Sequence, residues 1–145
     1  MILRQKKFFQ KGTLSKIESY VDCWFFCLKQ TDPILSKEMT GADFEIIKQN
    51  FYYLGEKDPN KIIIRTPLIY PVTSDRNNIE NICKLMNHVN VIKTQLLKYN
   101  PYTSIYYTAL GIPFEDKNYC AVDNAELEEI LSVFRVNNVE CSYVT

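Results

Sequence analysis

A net charge is what this sequence most plainly lacks. Its 145 residues carry 17 basic and 17 acidic side chains, so nothing draws it to nucleic acid or to an anionic membrane surface. Long apolar runs are missing as well. None approaches the roughly 18–20 residues of a membrane span, and the basic stretch Arg4, Lys6, Lys7 and Lys11 precedes no apolar core of signal-peptide length. The expected compartment is the cytoplasm, with no membrane partner. Histidine occurs once, at His88, which leaves no second imidazole for a metal pair. There is no P-loop, no G-x-G-x-x-G and no nucleophile elbow. Cysteine is present in an odd number, at 23, 27, 83, 120 and 141, and reads as reduced, mostly structural thiols. Apolar residues make up 46% of the chain, enough for a core in one domain spanning 1–145. Four tyrosines fall within Tyr99–Tyr107, which marks that segment as a rim or interface.

The stretch Lys61–Asn100 organises the rest. Two apolar runs, Ile62–Tyr70 and Val91–Tyr99, flank a segment with Ile79, Ile82, Cys83, Met86 and Val89 on one helical face. Ser74 and Asp75 stand where they can cap that helix. Strand, helix and strand in about 40 residues make a βαβ unit with a parallel pair. Upstream, Val21–Leu28 is almost wholly apolar or aromatic and is expected as a strand buried on both faces. Thr31–Gly41 reads as a connection. Asp43 caps a helix with Phe44, Ile47, Phe51 and Leu54 inward, and Gly55 suits its C-terminal cap. Downstream, Pro101–Asn118 is irregular with one short helix before Gly111. Asp123 and Glu126 have capping-box spacing ahead of Leu127, Ile130, Leu131 and Phe134. Val139–Val144 is a short strand or tail, and residues 1–12 show no clear period.

The expected fold is therefore α/β, with three parallel strands and flanking helices. Three such strands leave two edges open, which points to the C-terminal part of a larger barrel. The edge at Val21–Leu28 lacks charge or proline between Cys23 and Leu28 and is expected to support a homodimer. The alternative is that Met1–Gly12, with Ile2, Leu3, Phe8 and Phe9, folds back over it.

Ligands of βαβ units sit at the strand ends, here near Tyr70–Asp75 and Tyr99–Tyr102. Arg65 lies inside an apolar run, where a guanidinium needs a partner. That partner is either a ligand carboxylate or phosphate, or a core acid such as Asp22 or Asp75. Lys29 ends a strand at the ligand face, where a snorkelling lysine is the bland alternative. Cys23 and Cys27 are spaced C-x3-C, yet the third position of a C-x3-C-x2-C loop is Gln30, so buried core thiols are the better reading. Asn100-Pro101-Tyr102 either binds a ligand or forms a tight turn.

These residues carry a resemblance. I-I-I-R-T-P-L-I-Y-P-V-T-S-D resembles the I-R-x-P-x-I-P-G-x-N/T-D segment of glycyl-radical-enzyme activating enzymes, such as the pyruvate formate-lyase activating enzyme. Three further stretches match in order. Tyr20–Lys29 is similar to Y-V-D-x-x-x-x-D-x-K, and Glu38–Gly41 to the family's T-G motif. Leu96–Gly111 is similar to L-L-P-Y-H-x-L-G-x-x-K-Y-x-x-L-G. The match runs from about Leu14 to the C-terminus.

The resemblance implies the C-terminal half of a partial (βα)6 TIM-like barrel in which the first three strands are absent. With them would go the C-x3-C-x2-C loop for a [4Fe–4S] cluster and the glycine-rich strand that meets the methionine amino group. The parent would cleave S-adenosylmethionine reductively. The resulting 5′-deoxyadenosyl radical would take a hydrogen atom from a glycine of a partner, a glycyl radical enzyme such as pyruvate formate-lyase. The implied cofactor-binding positions are Cys27, Leu28, Lys29, Arg65, Leu97 and Asn100. Cys27 replaces the family's acid, Lys29 keeps its lysine, Arg65 matches the strand arginine, and Asn100 replaces the histidine after the last strand. Leu97 matches a position whose backbone borders the adenine. The histidine before T-G falls on Ser36, and the Lys-Tyr pair on Tyr106-Tyr107. The isolated chain is expected to hold no catalytic or metal-binding residue, no cofactor of its own and no activity. The alternative is a non-catalytic α/β protein-interaction module that presents its Tyr-rich loop.

Overall fold

Strand order explains the architecture of this chain. The computed structural model describes residues 2–4, 11–115 and 117–145. The strands are β1 (Ile2–Arg4), β2 (Cys23–Cys27), β3 (Ile62–Leu68), β4 (Lys93–Lys98) and β5 (Glu140–Val144). They lie in one sheet in sequence order, every neighbouring pair parallel. Parallel crossovers are right-handed. When each one steps to the next strand in the same direction, all the helices fall on one face. That is barrel winding, not double winding.

The three expected strands are present, and two more flank them. Ile2–Arg4 pairs with β2, with Ile2 opposite Cys23 and Arg4 opposite Phe25. The edge proposed for a homodimer is thus covered, and Ile2–Arg4 takes the neighbouring place that the resemblance gave to an absent strand. Phe8 and Phe9 lie outside the described residues. At the other edge Glu140–Val144 is a strand rather than a tail, with Thr94 opposite Cys141 and Leu96 opposite Tyr143.

The helices are α1 (Lys11–Ile17), α2 (Pro33–Thr40), α3 (Phe44–Lys57), α4 (Arg76–His88), α5 (Thr103–Ala109) and α6 (Asn124–Val136). Caps fix several of their starts. The Asp43 carboxylate accepts from Glu45 N at 2.9 Å, and that of Asp75 from Asn78 N at 3.2 Å. Asp123 and Glu126 form the expected reciprocal box at 2.8 and 3.0 Å. Helix α2 replaces the expected connection. Asp32 caps it, Pro33 occupies its first turn, and Gly41 ends it at φ 73°. Gly55 is not a C-terminal cap, because α3 continues to Lys57. Its role is to admit Val89, whose Cβ would stand 2.6 Å from a Cβ at position 55. His88 ends α4, and its ring packs on Tyr52 with centroids 4.6 Å apart.

The core lies between the sheet and the helices. Trp24 and Phe26, Ile62, Ile64 and Leu68, and Leu96 face it from the strands. Phe51, Ile79, Ile82, Met86, Ile130 and Phe134 face it from the helices. The expectation that the strands are buried on both faces holds for one face only. Cys23, Phe25, Cys27, Ile63, Arg65, Pro67, Gln95 and Leu97 alternate with the core residues and are half-buried. They form the surface that would be the interior of a closed barrel.

Candidate functional site

That half-open face carries Arg65, and the strand register decides its neighbours. Cys27 lies opposite Arg65 across the β2–β3 ladder, and Gln95 opposite it across β3–β4. Arg65 Nε donates to Gln95 Oε1 at 2.8 Å. The guanidinium carbon sits 4.0 Å from the centre of the Phe25 ring, in cation–π range. Two interactions therefore fix the guanidinium plane. No described residue accepts from its terminal amino groups. Of its two expected partners, Arg65 has no core acid among the described residues. Its partner is a neutral amide, and the side chain is half-buried, because the face it stands on is not closed over.

The other implied positions are dispersed around this point. Cys27 and Leu97 share the half-open face. Leu28 points to the helix side and is 1% exposed, while its backbone N–H donates to the Arg65 carbonyl at 3.2 Å. Lys29 is exposed just past the end of β2. Asn100 is exposed, and its Oδ1 accepts from Tyr102 N at 3.0 Å, the tight-turn alternative. Ser36, at the position of the family histidine, is buried in α2.

Two buried amides that the sequence reading gave no structural role shape the rim. Asn78 Nδ2 donates to the Lys29 and Thr73 carbonyls at 3.0 and 2.9 Å. Its Oδ1 accepts from Thr31 N and Oγ1 at 2.8 and 3.0 Å. Gln30 Nε2 donates to the Val72 carbonyl at 2.9 Å, and its Oε1 accepts from Thr31 N and Asp32 N. Together they tie the turn after β2 to the turn after β3. Thr73 Oγ1 adds contacts to Ile69 N and the Pro67 carbonyl. The one sequence signal was an asparagine beside Ile79 on the buried helical face. These bonds hold the backbone of Lys29 just past the end of β2, two residues beyond the Cys27 that lies opposite Arg65.

Among the described residues no three His, Cys, Asp or Glu side chains converge as a metal donor set. Cys23 and Cys27 share a face of β2 but have no third ligand, so the residues present do not fit a [4Fe–4S] cluster. Arg65, whose end edge meets no acceptor among the described residues, has the geometry to take a carboxylate. No helix among the described residues is long and apolar enough to cross a membrane.

The fold, parallel strands in sequence order with flanking helices, matches that of a solved activating-enzyme domain. A domain of a pyruvate-formate lyase-activating enzyme from Bacteroides vulgatus superposes with a TM-score of 0.80 at 14% identity, covering 99% of this chain and 80% of that one. No family model matches the chain. The 4-hydroxyphenylacetate decarboxylase activating enzyme of Clostridioides difficile is 29% identical over 128 residues, 88% of this chain and 40% of the relative. The (2S)-3-sulfopropanediol dehydratase activating enzyme of Klebsiella oxytoca is 34% identical over 102 residues, 68% of this chain and 32% of the relative. The homologues of this chain are glycyl-radical-enzyme activating enzymes. The chain spans about two fifths of the length of the first curated relatives it matches.

Proposed function

We propose that this chain, as one domain, is the C-terminal part of a glycyl-radical-enzyme activating enzyme and forms the S-adenosylmethionine-binding side of its barrel. The oriented guanidinium of Arg65, whose terminal amino groups meet no acceptor among the described residues, carries this reading. In it, Arg65 takes the carboxylate of the methionine portion, and Lys29 adds positive charge at the strand end. Leu28 braces Arg65 through the backbone, Cys27 and Leu97 line the wall, and the Leu97 backbone borders the adenine. Asn100 caps the rim. When bound, S-adenosylmethionine supplies the adenosyl group on which the family's radical chemistry depends. The parent's partner is a glycyl radical enzyme, with pyruvate formate-lyase as the type, met in the cytoplasm. The chain alone is inactive in this reading, since the cluster donors belong to the remainder of the barrel.

Calorimetric titration of S-adenosylmethionine into the 145-residue chain tests this. Saturable binding that Arg65→Ala removes is the expected result. Absence of saturable binding at millimolar ligand contradicts it. The second reading, a non-catalytic interaction module, is favoured by one observation: Tyr102, Tyr106 and Leu110 are 62, 60 and 72% exposed. That reading expects no binding of the cofactor at all.

A further inference from the structure

Arginine offers a carboxylate two planar edges, one built from Nε and a terminal amino group, the other from the two terminal amino groups. Here Gln95 Oε1 occupies Nε at 2.8 Å, and Phe25 covers one face of the guanidinium at 4.0 Å. Among the described residues nothing accepts from the end edge. Gln95 comes from the strand on one side of Arg65 and Phe25 from the strand on the other, so the orientation is set by the sheet and not by a flexible loop. Gln95 is also uncharged. A glutamate in its place would pair with Arg65 along the side edge and neutralise it, whereas the amide aims the guanidinium and leaves its charge available.

We infer that Gln95 is a positioning residue: it turns Arg65 so that a ligand carboxylate is taken end-on by the two terminal amino groups, and it keeps that arginine unpaired in charge. This inference rests on the proposed S-adenosylmethionine site and deepens it, since it fixes which edge of Arg65 the ligand meets. The polarity of Gln95 is not otherwise used by the fold among the described residues, because its side chain stands on the half-open face rather than in the core and its hydrogen bond is to Arg65.

The test uses the 145-residue chain, S-adenosylmethionine as the probe, and the variants Gln95→Met and Gln95→Glu. Affinity is read by calorimetry, and the Arg65 Nε–H by its exchange-protected resonance in proton–nitrogen spectra, assigned through its loss in Arg65→Lys. Gln95→Met removes the acceptor. It is expected to lose the Nε–H protection and weaken binding about tenfold, the scale of one hydrogen bond to a charged group. Gln95→Glu keeps an acceptor. It is expected to retain the protection yet weaken binding at least as much, because the charge is spent. A merely structural residue would not separate the two readouts in this way. If Gln95→Met does not fold, Gln95→Glu still decides. Equal affinity in wild type and both variants overturns the positioning role while leaving the site intact. A wild-type chain that binds nothing overturns the site itself, and this inference with it.

Discussion

Gly55 and Val89 meet so closely that a Cβ on Gly55 would lie 2.6 Å from the Val89 Cβ. This contact joins the last turn of α3 to the residue after α4, and both positions are buried. Gly55→Ala gains helix propensity worth about 1 kcal/mol but forces an overpacked contact that costs roughly 1–3 kcal/mol. The overpacking should win, with a net loss of up to about 2 kcal/mol by denaturant unfolding. Truncation of Val89 to alanine should not rescue it, because the closest atom is Cβ itself.

Asn78 should be among the least replaceable polar residues. Asn78→Ala takes the donor away from the Lys29 and Thr73 carbonyls and one acceptor away from Thr31, a loss of about 2–3 kcal/mol. Asn78→Asp should cost more near neutral pH, because it faces the Lys29 and Thr73 carbonyls with a carboxylate instead of a donor. That carboxyl would titrate above its unfolded value. The stability it contributes is then present at low pH and lost as pH rises, so acidification should recover part of the deficit. Unfolding at two pH values checks both claims.

The thiols should react in a fixed order. Cys120 is exposed and Cys83 is buried. Burial, with a smaller push from Glu80, raises Cys83 to about 11. Burial, with a smaller push from Cys83, raises Cys141 to about 12. Mass spectrometry of timed alkylation should show Cys120 labelled first and Cys83 and Cys141 last. A raised thiol pKa contributes stability below the unfolded thiol value, 9.0, which is lost as pH climbs towards the folded value. Cys141→Ala should therefore soften the alkaline fall in stability relative to wild type.

Anaerobic reconstitution of the chain with iron and sulfide should give no stoichiometric [4Fe–4S] absorption, because Cys23 and Cys27 lack a third thiolate. A cluster signal that disappears in Cys23→Ala and Cys27→Ala would contradict this.

Much of the fold was legible because its signals are local. The stripe of Ile79, Ile82, Cys83 and Met86 and the Asp123–Glu126 box each lie within a few turns of chain. Helix α2 was missed, although Asp32-Pro33 and Gly41 carry its cap signals, because Thr31–Gly41 shows no clear apolar stripe. Ile2 and Leu3, the two apolar residues of Ile2–Arg4, carry too little pattern to declare a strand. That pairing depends on β2, some 20 residues away. The site was harder to read for the same reason. Arg65 stood out as a charge in an apolar run, whereas its partner Gln95 is found only through the β3–β4 register. The Asn78 and Gln30 bonds span more than 40 residues of sequence.

The most direct measurement is a residue-resolved proton–nitrogen map of the chain titrated with S-adenosylmethionine. The proposed function predicts shifts concentrated at Arg65 Nε–H, Lys29, Leu97 and Asn100, on the half-open face and its rim, and their disappearance in Arg65→Ala. Shifts confined to the Tyr102–Phe114 segment, or none at any ligand concentration, would contradict it.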